Sequence, residues 1–140
     1  MKLTHVPLRT TVGAFILNSG LGKRSLEGEA AAGMHGMAAG AVPQLRQLGP
    51  DRFARLLSRG EMALGAALLA PFVPSLLAGL GLTAFGAGLL QLYLRTPGMR
   101  EPGSLRPTQQ GIGLAKDVWL VGAGLTLVLD DLTHRRFRRP

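Results

Sequence analysis

The chain has 140 residues, a formal net charge of +8, 20 glycines and no cysteine. That length gives one domain. The missing cysteine excludes disulfides, thiol redox chemistry, Cys-ligated zinc and iron–sulfur clusters within this chain. Hydrophobic residues make up 46% but aromatic residues only 5%, so the apolar mass is Leu, Ala and Gly, the composition that close helix packing in a bilayer favours.

Of the 16 basic residues 13 are arginine. They flank apolar runs and do not line a face with interleaved aromatics. That is the pattern of headgroup contact and lacks any element that reads nucleic acid. No nucleic-acid partner is expected.

In chain order, the first predicted element is a helix over about 7–22. Pro7 suits its first turn, and Lys23-Arg24 ends it at an interface. Arg9 interrupts the apolar stretch and no small-x-small cleavage site follows, so this reads as a retained helix and not as a signal peptide. Arg9, Gly13, Ile16, Gly20 and Lys23 share one face. A weaker apolar segment, about 28–42, predicts a short loop helix that Pro43 ends.

Residues 62–94 hold 33 consecutive uncharged positions between Glu61 and Arg95. One helix of that length would measure about 50 Å, against a hydrocarbon core of about 30 Å. Pro71 and Pro74 would each cost about 3 kcal/mol inside a helix. The stretch is therefore a hairpin: a helix over about 51–70 with Asp51 able to cap it, a Pro turn, and a helix over about 75–94. Arg52, Arg55 and Arg59 form one stripe of the first arm, with Glu61 on the opposite side.

Residues 95–107 carry three prolines and two glycines and read as an irregular loop. The last helix is predicted over about 108–129, with Lys116-Asp117 in its interior and a basic tail over 133–140. The fold class is all-α: an integral membrane four-helix antiparallel bundle with a short extra helix after the first crossing. The bilayer is its first partner. The expected location is a bacterial cytoplasmic (inner) membrane, multi-pass. Counting Lys and Arg places the long loops in the cytoplasm, while the dense basic tail argues the other way.

This order of features resembles the DoxX family of small bacterial membrane proteins. The first helix follows a pattern LRxxxGxxFxxxGxxK through Leu8, Arg9, Gly13, Gly20 and Lys23, with Ile16 at the aromatic position directly after Phe15. A small-residue helix, a glutamate-bearing helix (Glu61 in RGEMALGAALL), a Pro turn, a Gly-rich helix and a last helix with a polar entry complete it. The resemblance spans roughly residues 6–131. It implies a four-helix membrane fold and a link to quinone-coupled redox work. The expected role is an accessory subunit beside other membrane protein subunits of a respiratory or quinone-linked complex. The alternative is a quinone-binding oxidoreductase subunit, and a further one is a small-molecule transporter.

Ionisable residues inside a bilayer are functional candidates by default. Here they are Arg9, Lys23, Glu61, Lys116 and Asp117. Depth along the helices suggests pairing of Lys23 with Asp117, and of Arg9 with Asp130 or Asp131. Nothing sits level with Glu61. Two readings stay open: the charges tie the helices together, or Glu61 and Asp117 are protonatable groups lining a ligand pocket, with quinone the one possible cofactor. Gly79, Thr83 and Gly86 form a stripe suited to close helix packing or to a neighbouring protein. Met34-His35-Gly36-Met37 has the ligand types of a copper site but no second cluster, so no metal is expected. Trp119 and Tyr93 are expected as interface anchors.

Overall fold

A computed structural model describes residues 1–137. The helix α1 spans Val6–Gly22 after a single 3-10 turn, Leu3–His5. The loop helix α2 spans Gly28–Ala41, starting at Gly28 with φ +62 and followed by a 3-10 turn, Pro43–Gln47. Then come α3 (Pro50–Leu69) and α4 (Ser75–Arg95). The chain ends in a single turn, α5 (Ile112–Ala115), and the long α6 (Val118–Phe137). No strand occurs among the described residues, and the one isolated β-bridge joins Arg100 to Pro107.

Three expected boundaries change. Gly49 and not Asp51 takes the N-cap of α3, with Pro50 fitting its first turn; Asp51 lies inside, where its charge favours the positive end of the helix. The last helix is not continuous over 108–129. Thr108–Gly111 form a turn, the helix breaks at Lys116-Asp117, and α6 then runs on through the first part of the basic tail. Residues 138–140 of that tail lie outside the described residues. The loop over 96–107 is an ordered hairpin and not irregular. Glu101 N donates to Arg106 O at 2.8 Å, Thr108 N to Met99 O at 3.0 Å, and Thr108 Oγ1 to Gly98 O at 2.6 Å.

The helices pack as two close pairs, α1 with α3 and α4 with α6. Glycine sets the first contact: a Cβ on Gly65 would stand 2.5 Å from Leu17 N, and one on Gly20 would stand 2.9 Å from Ser58 O. In the second pair a Cβ on Gly79 would stand 2.8 Å from Gly124 O, and one on Gly86 would stand 3.0 Å from Val121 N. Contacts rising along one helix and falling along the other make both pairs antiparallel. The tight Pro71–Pro74 turn joins α3 to α4. Ile16, Leu68, Ala78, Leu82 and Leu127 fill the seam between the pairs. The loop helix α2 rests on α3 and α4.

Two helical runs are long and apolar enough to cross a bilayer, Ser75–Arg95 and Ile112–His134. Only 28% and 11% of their apolar windows are buried inside the chain, so most of each apolar surface faces outward. The interior is mostly Ala and Gly, while Phe15, Leu80, Trp119 and Leu125 face outward. The other two expected crossings fall short of that standard: α1 has 17 residues, and α3 carries Asp51, three arginines and Glu61. Trp119 is outward at the start of α6, as an interface anchor would be; Tyr93 is buried and donates to Leu105 O at 2.6 Å, so it anchors the loop instead.

Candidate functional site

A cavity of about 420 Å³ opens at the end of the molecule where the long connections lie. Its wall takes residues from α1, α2, α3, α4 and the α5–α6 break. Four of the five sequence candidates line it: Lys23, Glu61, Lys116 and Asp117. The rest is largely apolar, led by Phe15, Phe53 and Phe85, with Met34 and Met37 from α2.

The pairing inside differs from the expected one. Lys23 Nζ donates to Glu61 Oε2 at 2.9 Å and to Ser19 Oγ at 2.6 Å. Lys23 thus pairs with Glu61 and not with Asp117, because the glycine contact at Gly20 brings α1 within reach of the buried face of α3. Glu61 is only 4% exposed, and its charge is compensated on the spot. Asp117 is half-buried in the break before α6, and no described residue gives its carboxylate a hydrogen bond. Lys116 beside it is exposed. Helix hydrogen bonding there drops to a tighter register, with Trp119 N on Lys116 O and Leu120 N on Asp117 O, both at 3.0 Å. The site therefore offers one satisfied ion pair, one half-buried carboxylate open to a ligand, and a broad apolar wall.

Arg9 is the candidate that the structure removes from this site. It is fully buried, and all five of its guanidinium N–H bonds are used. Nε donates to Leu68 O at 2.7 Å; Nη2 to Ala67 O at 2.8 Å and Ala70 O at 2.9 Å; Nη1 to Val73 O at 3.0 Å and Ser75 Oγ at 3.1 Å. The Ala67 and Leu68 carbonyls are ones that the end of α3 leaves without helical partners, and Ala70 and Val73 belong to the turn that follows. Arg9 is a C-terminal cap for another helix, where a cation also suits the helix dipole. Neither Asp130 nor Asp131, its expected partners, takes one of these five bonds; Asp130 meets Lys2 and, at 2.7 Å, His5 Nε2. His5 Nδ1 lies 2.9 Å from Ser75 Oγ. In the neutral ring this chain closes one way: Arg9 donates to Ser75 Oγ, Ser75 O–H to Nδ1, and Nε2–H to Asp130. Sequence reasoning missed this network, since His5 and Lys2 precede the first helix and carry no motif.

Gly79, Thr83 and Gly86 lie against Gly124, Leu127 and Val121 of α6. They serve close packing inside the chain and are not free for a neighbouring protein. His35 Nε2–H donates to Leu45 O at 2.8 Å and the ring packs edge-on to Phe53, so the Met34–Met37 segment gathers no common metal point. Among the described residues no group of three or more His, Cys, Asp or Glu is placed to hold a metal ion. Comparisons of the chain with protein-family models, with curated proteins and with solved structures find no match.

Proposed function

We propose that this chain is a multi-pass protein of a bacterial cytoplasmic membrane, with α1, α3, α4 and the α5–α6 run as its four crossings, and that its cavity binds a molecule with an apolar body and a hydrogen-bonding head. The observation that carries this reading is the convergence of Lys23, Glu61, Lys116 and Asp117 on one largely apolar cavity of about 420 Å³. Ligand sites combine a broad apolar lining with a few placed polar groups, and intramembrane charges mark such sites. A quinone headgroup is the candidate the resemblance to DoxX-like proteins supplies, and Asp117 is the group with capacity left to meet it. With no cysteine in the chain, redox chemistry on this reading comes from the quinone or from a partner.

The test is photo-crosslinking of the purified full chain with an azido-quinone, followed by peptide mapping. Label is expected on α2 and on the segment around Asp117, and Asp117→Asn should reduce it while the protein stays folded. Label spread evenly over the outward faces, unchanged by Asp117→Asn, would sink the pocket reading.

The second reading is an accessory subunit docked on a larger membrane complex. Outward glycines favour it: Gly88 on α4 and Gly122 on α6 are exposed, with open space where a Cβ would stand, so a neighbouring helix could approach closely. Gentle extraction from the native membrane and mass spectrometry of the co-migrating chains tests this. A chain that runs alone removes it.

A further inference from the structure

A second, polar pocket of about 350 Å³ lies where α4 ends, and its wall includes Arg95, Thr96, Arg100 and Glu101. The sequence showed these residues only as part of a Pro- and Gly-rich loop. The loop is built and held. Tyr93 ties it from inside the molecule, the Arg100–Pro107 bridge closes it, and glycines 98 and 103, at φ +83 and +68, curl the backbone around the pocket. Both arginines are placed by single bonds to carbonyls. Arg95 Nη1 donates to Ala41 O at 2.7 Å, the C-terminal end of α2, and Arg100 Nη2 donates to Leu94 O at 3.0 Å. A guanidinium has five N–H donors, so each keeps most of its donors for another partner. Thr96 lines the same pocket. Its Oγ1 is the one buried side-chain oxygen or nitrogen among the described residues that has no hydrogen-bond partner. An orphaned buried hydroxyl calls for an explanation.

We propose that this pocket binds a phosphate group, with Arg95 and Arg100 as its cationic ligands and the Thr96 hydroxyl as a third donor. Arginine matches phosphate oxygens with paired, charge-assisted hydrogen bonds, and a hydroxyl buried beside them gains the acceptor that it lacks. Arg95 is the last residue of an apolar run long enough to cross a bilayer, which puts the pocket at headgroup level. The phosphate of a lipid and free phosphate share this chemistry. The lipid source rests on the membrane reading proposed above; the phosphate chemistry does not. Glu101 is exposed at the rim and works against an anion.

Native mass spectrometry of the detergent-purified full chain with dioleoyl phosphatidylglycerol, and with inorganic phosphate as competitor, tests the site. Arg100→Gln is expected to weaken binding about tenfold, as the loss of a charged hydrogen bond does. Thr96→Val keeps the shape and removes the hydroxyl; it should weaken binding severalfold without lowering the melting temperature, while Glu101→Gln should tighten binding. Arg95→Gln also frees the Ala41 carbonyl, so Arg100→Gln and Thr96→Val decide if that variant fails to fold. Lipid that survives the phosphate challenge identifies a headgroup site. Lipid displaced by phosphate, or phosphate bound with no lipid, identifies a free-phosphate site, and the latter also counts against the membrane reading alone. Arg100→Gln and Thr96→Val proteins that bind both probes like the wild type overturn the proposal.

Discussion

At the scale of single residues, the two most deeply placed charges do different work. Arg9 spends every donor on carbonyls and one hydroxyl, so its role is set by the shape of its head and not by charge alone. Lysine has three donors and no planar fork. Arg9→Lys should therefore strand several buried carbonyls and cost on the order of 3 kcal/mol, read as a lower melting temperature in detergent. An unchanged melting temperature would refute the cap. Glu61 has a partner, Lys23, whereas Asp117 has none that fixes it. Glu61→Gln should lower stability by roughly 1.5–3 kcal/mol, the range for hydrogen bonds to charged groups, and Asp117→Asn should leave it nearly unchanged. The same melting experiment checks both; equal losses would mean that Asp117 holds structure too. The five charges could be found in the sequence because a charge inside an apolar run is visible there. Their partners could not: depth along the helices pointed Lys23 at Asp117 and left Glu61 with nothing level with it, because how closely α1 approaches α3 is not written in the sequence.

At the scale of elements, approach distance is governed by glycine. Gly65 and Gly124 stand where added Cβ atoms would meet Leu17 N at 2.5 Å and Thr83 N at 2.6 Å. Backbone cannot yield as a flexible side chain does, so Gly65→Ala or Gly124→Ala should cost at least the roughly 1–3 kcal/mol of an overpacked core. Gly122→Ala has open space and should stabilise α6 slightly through helix propensity. Thermal unfolding of the three variants in one detergent makes the comparison; a Gly65→Ala protein as stable as Gly122→Ala would mean that the first pair is not in contact there. The sequence announced glycine-rich faces but not which neighbour each would meet, because an outward glycine and an inward one look alike in a helical repeat. It also announced a polar entry to the last helix without its break. Lys116-Asp117 has no proline or glycine to mark a stop, and the interruption follows from the tight turn and the cavity wall that those residues join.

At the scale of the whole molecule, glycine and alanine make most of the close helix contacts around a few buried Leu and Ile side chains, while many large apolar side chains face out, a distribution that suits the proposed membrane setting. The absence of cysteine makes the proposed topology directly testable with introduced thiols. Phe72→Cys, in the Pro turn, and Ser104→Cys, in the loop beyond α4, should react with an impermeant maleimide from opposite sides of sealed vesicles. Reaction of both from the same side would overturn four crossings. The all-helical character and the Pro hairpin were legible because charge-free length and paired prolines are local signals. The two other proposed crossings were less so, since α1 is short and α3 opens with arginines. The cap that Arg9 places on α3 has a consequence for how such a chain is made. Its acceptor at Leu68 lies 59 positions further on, so while the ribosome has released only α1 the guanidinium has nothing to hold. On the proposed membrane reading, α1 made alone carries a cation without acceptors into lipid, and it would settle there as the companion of a helix that has not yet been translated.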